Sequence, residues 1–330
     1  MKVAFFSTKS YDKEYFTKFN TDNVHELTFF EVPLNEQTAV LTIGFEAICV
    51  FVNDIINRET IKIIKQNGIS LIALRCAGFN NVDLKAAHEN QIKVVRVPAY
   101  SPESVAEHAA ALILTLNRKT HKAYNRVREG NFSIENLTGF NLFAKTVGVI
   151  GTGLIGKAFC KIMLGFGCKV LAYDIKESSD LMAKGVVYKS LDDILNESDI
   201  LSLHCPLTPE TAHVIDANAI SKMKDGVMII NTSRGALIQA KDAIEGLKNG
   251  KIGYLGIDVY EQEADLFFQD LSESVILDDV IARLISFPNV LITGHLGFFT
   301  KEALEEIATI TLNNLTSFEN NRELVNEVKS

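Results

Sequence analysis

The chain has 330 residues, of which 47% are hydrophobic and 22% charged, and its formal net charge is −8. That length suits two domains, and the apolar fraction is enough for two cores. The negative balance and the lack of a basic stripe argue against binding to nucleic acid through its phosphates. No apolar run approaches the roughly 18 residues of a membrane span.

Residues 2–6 read as a strand, with no signal-peptide pattern ahead of it, which points to a cytoplasmic protein. Further strand-like runs follow at 27–32, 47–52, 71–74 and 94–97, with helical stretches at 13–19, 58–66 and 82–89 between them. Alternating β and α elements predict a parallel sheet covered on both faces. Pro98 and Pro102 bracket a break, and 103–128 reads as one long helix. Its centre, 105–116, is too apolar to face water. We expect it to be buried between two copies of the chain, as a homodimer or homotetramer. Five scattered cysteines (Cys49, Cys76, Cys160, Cys168 and Cys205) have neither disulfide nor zinc spacing. They read as reduced thiols, and no metal site is expected.

The strand-like run 146–150 empties into Gly151-Thr152-Gly153-Leu154-Ile155-Gly156, followed by a helical stretch, a second strand at 168–173, and Asp174 closing it. In this context the three glycines serve a tight turn, close approach of the backbone to a pyrophosphate, and close helix–strand packing. The phosphates then rest on a helix N-terminus. Asp174 is placed to accept hydrogen bonds from ribose hydroxyls and to repel a 2′-phosphate, so the expected cofactor is NAD rather than NADP. Strands are expected again at 200–203, 227–231, 254–258 and 290–293. A helix is expected at 240–248, an acidic loop over the site at 262–279, and a final helix at about 301–319.

Ligands of an open α/β sheet bind at the carboxyl ends of its strands. Four ionisable candidates follow strands there: His204, Arg234, Asp258 (with Glu261 and Glu263 beyond it) and His295. A nicotinamide reaction on a 2-oxo or 2-hydroxy acid needs a cation for the carboxylate, which Arg supplies in two-pronged fashion. It also needs an acid/base for the oxygen, which His supplies, and a carboxylate to keep that His protonated. Placement after a strand does not choose between His204 and His295. The other histidines (His25, His88, His108, His121 and His213) read as surface or structural.

Several stretches are more specific. They are Ala73-Leu74-Arg75-Cys76-Ala77-Gly78-Phe79-Asn80-Asn81-Val82-Asp83, Val95-Arg96-Val97-Pro98-Ala99-Tyr100-Ser101-Pro102, His204-Cys205-Pro206-Leu207-Thr208, Asn231-Thr232-Ser233-Arg234-Gly235 and Gly256-Ile257-Asp258-Val259-Tyr260-Glu261. With them the chain resembles the D-2-hydroxyacid dehydrogenases from end to end, and most closely their NAD-dependent fermentative D-lactate branch. The resemblance implies two doubly wound α/β domains: a flavodoxin-like substrate domain (1–100 and 299–330) and a Rossmann NAD-binding domain (101–298). A hinge near Tyr100 and Phe298 would join them, with the site in the cleft. It also implies reversible reduction of pyruvate to D-lactate with NADH. The catalytic set would be Arg234, Glu263 and His295, and His204 would fall to the cofactor loop.

The cofactor contacts implied are Gly151, Gly153, Leu154, Ile155, Gly156, Asp174, His204, Cys205, Pro206, Thr211, Thr232, Ser233, Arg234 and Asp258. The substrate contacts implied are Ala77, Gly78, Tyr100, Arg234 and His295, with Phe298 or its neighbour Phe299 closing the methyl side. Many relatives place Pro before the catalytic His, where this chain has Gly294, a departure that touches the branch and not the chemistry. The rivals are a dehydrogenase of another D-2-hydroxy acid (hydroxyisocaproate, phenyllactate or glycerate) and a non-catalytic NAD(H)-sensing module, which no disordered tail favours.

Overall fold

A parallel strand covered by helices on both faces must be apolar along its whole length, and β1 (Lys2–Phe5), β3 (Ala47–Val50) and β4 (Leu71–Leu74) meet that demand, with almost every residue buried. In the computed structural model, which describes residues 1–263 and 266–329, they join β2 (Glu26–Phe29) and β5 (Lys93–Arg96) in an all-parallel sheet of order β2-β1-β3-β4-β5. That is the flavodoxin-like order. Its helices are α1 (Ser10–Phe19), α2 (Arg58–Gln66), α3 (Leu84–Glu89) and the last of the chain, α12 (Lys301–Glu319). Side-chain caps start three of them: Asn57 accepts from the Thr60 N–H, Asp83 from Ala86 and Thr300 from Ala303. A fully buried ion pair between Asp12 and Arg75, at 3.0 Å, ties α1 to the end of β4. These elements make up one compact unit, Met1–Ser101 with Phe299–Ser330.

The second unit, Pro102–Phe298, holds seven parallel strands. They are β6 (Thr146–Ile150), β7 (Lys169–Tyr173), β8 (Val187–Tyr188), β9 (Ile200–Leu203), β10 (Val227–Asn231), β11 (Ile252–Ile257) and β12 (Val290–Ile292). The order is β12-β11-β10-β9-β6-β7-β8, so the winding reverses between β6 and β9, where ligands of such sheets bind. Helices α4 (Pro102–Arg118), α5 (Thr120–Arg128), α6 (Leu154–Gly165), α7 (Ser179–Ala183), α8 (Leu191–Glu197), α9 (Ala217–Lys222), α10 (Ala240–Lys248) and α11 (Asp279–Ser286) cover it.

Two expectations need correction. The single helix over 103–128 breaks at Lys119, whose φ of +52° lies in the left-handed region. The break falls where the apolar pattern stops: α4 is buried along one face, whereas α5 buries no residue. Second, Ala106, Ala109, Ala110, Leu112, Ile113 and Leu116 are buried in the core of this unit, α4 packing on α6, β10 and β11. The apolar character of 105–116 is therefore accounted for within one chain and says nothing of a second copy. Of the expected loop at 262–279, residues 264 and 265 lie outside the described residues. Helix α11 follows it, capped by the Asp278 carboxylate on the Val280 and Ile281 N–H groups. It had no sequence expectation, nor had α7, α8 or α9.

Candidate active site

The turn after β6 is one that only glycine fits. Gly151 has φ of +92°, and a Cβ there would lie 2.5 Å from the Cys205 nitrogen. Gly156, in the first turns of α6, would bring a Cβ to 2.0 Å from the Gly151 carbonyl oxygen, so the helix lies directly on the turn. Gly153, the residue preceding α6, instead faces open space, with no atom within 4 Å of its absent Cβ. No acid stands in the first turn of α6, Leu154 is exposed and Ile155 half-buried. This is an accessible helix N-terminus with room for a phosphate, and it fits a dinucleotide.

At the end of β7, Asp174 accepts hydrogen bonds from the Thr152 N–H and hydroxyl (the latter at 3.1 Å) and from the Lys176 N–H at 2.9 Å. Partial burial pushes its pKa up, but these donors outweigh burial and hold the carboxyl below the usual range. Its negative charge stands beside the glycine turn.

The loop after β9 begins inside the protein. His204 is buried, its ring tilted over Phe159 of α6 at 4.7 Å and its Nε2 2.9 Å from the Ser202 hydroxyl. Burial drives its pKa down to about 3, so the ring is neutral. The ring thus packs on α6, while the His204 main chain lies against Gly151. Cys205 is buried as well, and its thiol is pushed up to about 11. Pro206 is exposed, and Thr211 closes the loop by donating to the Pro206 carbonyl at 2.7 Å.

The ends of β10, β11 and β12 carry the remaining candidates. Asn231, at the end of β10, braces the next turn: its side-chain amide donates to the Arg234 carbonyl at 2.8 Å and its oxygen accepts from the Ser233 N–H at 3.0 Å. Thr232 is buried, Ser233 and Arg234 are partly exposed, and no described carboxylate pairs with Arg234. Gly235 touches the next strand's loop so closely that a Cβ would lie 2.0 Å from the Tyr260 carbonyl carbon. The Arg234 turn is therefore laid against Tyr260 and Glu261. From that segment Glu263 reaches two ways. One carboxylate oxygen accepts from the Tyr260 N–H at 2.9 Å, and the other lies 2.8 Å from His295 Nδ1. Among the described residues His295 Nε2 has no hydrogen-bond partner, and Phe268 tilts against the ring at 5.9 Å. His295 also has a left-handed backbone, φ +54°.

Asp258 at the end of β11 is 1% exposed. Burial favours its neutral form, but hydrogen bonds from His108 and Thr293 outweigh that and hold the carboxyl low. Its oxygens are turned to residues 293–297. In the other unit, the Ala77 carbonyl accepts from Arg96 at 2.7 Å and that of Gly78 from the Cys76 thiol at 3.3 Å. Tyr100 follows β5 and is partly buried. Phe298 is buried, whereas Phe299 is half-exposed and stacks edge-on against Tyr11 at 4.9 Å. Gly235, Asn231, Thr293 and His108 had no site role in the sequence reading. Only the Asn-to-Gly run around Arg234 signalled the first two.

A profile of the NAD binding domain of D-isomer specific 2-hydroxyacid dehydrogenases matches residues 110–297. D-lactate dehydrogenase of Escherichia coli (strain K12) is 54% identical over 328 residues, 99% of this chain and 100% of the relative. The chain belongs to the D-isomer specific 2-hydroxyacid dehydrogenases. An NAD-dependent oxidoreductase fold accounts for both the open helix N-terminus at Gly153 and the charged Asp174 beside it. The apo structure of the Escherichia coli D-lactate dehydrogenase superposes with a TM-score of 0.92 at 52% identity, covering 99% of this chain and 100% of that one. D-lactate dehydrogenase from Aquifex aeolicus, solved in complex with NAD and lactic acid, gives 0.88 at 36% identity and 99% coverage of each chain. As in other 2-hydroxyacid dehydrogenases of this family, NAD is the cofactor. Among the described residues no helix is long and apolar enough to cross a membrane.

Proposed function

We propose that this dehydrogenase reduces pyruvate to D-lactate with NADH, reversibly: pyruvate + NADH + H⁺ gives D-lactate + NAD⁺. The observation that carries the reading is the 2.8 Å contact of His295 Nδ1 with Glu263, which leaves Nε2 for substrate. Full-length identity of 54% to a D-lactate dehydrogenase supports the choice of substrate.

When bound, NADH supplies the hydride to the 2-oxo carbon. The protein's own residues do the rest. Arg234 binds the carboxylate with its planar fork and polarises the oxo group, a task suited to a guanidinium that no described carboxylate neutralises. His295 gives its Nε2 proton to the oxygen that becomes the hydroxyl. Glu263 fixes the ring through Nδ1 and faces the positive charge that the imidazole carries before it gives up the proton. Asp174 takes the adenosine ribose hydroxyls, and the residues 151–156 turn takes the pyrophosphate. The loop residues His204, Cys205, Pro206 and Thr211, with Thr232, Ser233 and Asp258, complete the cofactor side. Ala77, Gly78 and Tyr100 contribute to substrate binding from the first unit, with Phe298 or Phe299 at the methyl side.

The same reading makes the protein a cytoplasmic homodimer or homotetramer. The support is an exposed apolar surface: Tyr124 and Val127 on α5, with Phe132, Ile134 and Phe143 after it. A panel of 2-oxo acids with NADH tests the substrate. Pyruvate should give the highest kcat/KM, with graded losses for branched and aromatic acids. A preference for phenylpyruvate or 2-oxoisocaproate would replace the substrate and keep the family.

A further inference from the structure

We infer that His108, on helix α4, is a positioning residue for His295 that acts through the buried carboxylate of Asp258. The inference rests on the proposed role of His295 as proton donor. Five hydrogen bonds run from the 293–297 loop to residues 257 and 258. The Thr293 N–H donates to the Ile257 carbonyl at 2.9 Å and the His295 N–H to the Asp258 carbonyl at 2.8 Å. The Asp258 carboxylate receives the Thr293 hydroxyl at 2.5 Å and the Leu296 N–H at 2.9 Å on one oxygen, and the Gly297 N–H at 2.8 Å on the other. The loop is thus folded around one buried charge, with His295 in the left-handed region at its centre. Such a conformation persists in a non-glycine residue only where its surroundings over-determine it.

That charge has a single ionisable partner among the described residues. His108 Nε2 lies 3.3 Å from Asp258 Oδ1 and 3.0 Å from the Thr293 hydroxyl. The Thr293 hydroxyl spends its hydrogen on Asp258, so at Thr293 it is His108 Nε2–H that donates. The ring also walls the loop's far end: a Cβ on Gly297 would lie 3.5 Å from His108 Cδ2 and 3.0 Å from Asp258 Oδ2. A carboxylate that is 1% exposed needs its donors, and a bracing network is only as fixed as its least replaceable member. Helix α4 packs on β11 and β12, so His108 anchors the loop to the core of this unit. None of the hydrogen bonds in this network involves the glycine turn. Without His108 the Asp258 carboxylate, which also stands on the cofactor side, keeps its Thr293, Leu296 and Gly297 donors. Removing His108 therefore disturbs the orientation of His295 more than the binding of NADH.

The test compares His108→Ala, His108→Gln and wild type by steady-state reduction of pyruvate, or of whichever 2-oxo acid the wild type uses best. NADH dissociation constants by fluorescence and the imidazole resonances of histidine-labelled protein are measured alongside. His108→Ala should lower kcat about 10- to 100-fold, the scale of a small misplacement of a reacting group, with the NADH constant within about twofold. The His295 resonance should shift or broaden. His108→Gln, whose side-chain N–H can stand where Nε2–H does, should recover most of kcat and the His295 signal. Adding His108→Ala to Asp258→Asn should cost little more than the worse single change, since the two act in one chain. The inference is overturned if kcat and the His295 signal of His108→Ala match wild type. It is equally overturned if kcat and NADH binding fall together and Gln restores neither. A wild type inactive on every 2-oxo acid would end the proposed function instead, and the resonances would still decide whether His108 holds His295.

Discussion

His204 should make the stability of this protein depend on pH in a way that one substitution removes. Its ring is 8% exposed, packs on Phe159 at 4.7 Å, and has one hydrogen-bonding partner, the Ser202 hydroxyl. Its Nδ1 is buried without a partner among the described residues. Burial lowers the pKa from 6.5 to about 3, so the folded protein keeps the ring neutral while the unfolded chain binds a proton below about pH 6.5. The folded pKa is the depressed one. The contribution is therefore fully present above pH 6.5 and is lost progressively as pH falls toward 3. Proton linkage puts the loss between pH 8 and pH 5 at about 2 kcal/mol. Urea unfolding of wild type and His204→Gln at both values measures it. Every other group titrates in both proteins and cancels in the difference. Wild type should lose about 2 kcal/mol more than the variant on acidification. Parallel losses would refute a neutral, buried His204.

Other consequences follow from the same structure. Asp174→Ala should abolish the preference for NADH over NADPH, measured as the ratio of kcat/KM for the two cofactors, and equal use of both by wild type would remove the role of Asp174. His295→Ala should lower kcat by about 10²–10⁴-fold with NADH still binding. Glu263→Gln should lower kcat less, and Arg234→Lys should raise KM for pyruvate as well as lower kcat, since charge remains and the fork is lost. Three variants failing alike would show a general structural effect. Light scattering at micromolar concentration should give a dimer or tetramer, and a monomer would leave the exposed Tyr124 and Phe132 surface without its proposed cover.

Much of the site was legible because its residue types are forced by backbone geometry. A glycine with φ of +92° against Cys205, and another 2.0 Å from a carbonyl, leave no other choice, so the glycine spacing shows in the sequence. The alternation of apolar runs likewise announced parallel sheets, because strands buried on both faces must be continuously apolar. Strand order was not legible: the reversal between β6 and β9 depends on pairings that no local pattern encodes. Nor was the break at Lys119, where a lysine takes the left-handed turn usually left to glycine or asparagine. The apolar run 105–116 was legible as buried but not as to what buries it. Choosing between His204 and His295 needed more than periodicity. Both follow strands; the family resemblance chose His295, and packing gives the physical reason, a neutral ring packed on Phe159 against one held by Glu263. His108 was hidden for a similar reason, since a histidine on an apolar helix gives no sign of the carboxylate it faces.

The most direct test of the proposed function is the configuration of the product. Purified protein is incubated with pyruvate and NADH, and the lactate formed is resolved by chiral chromatography while NADH loss is followed. One D-lactate should form for each NADH consumed. Formation of L-lactate, or no NADH consumption with pyruvate, would contradict it.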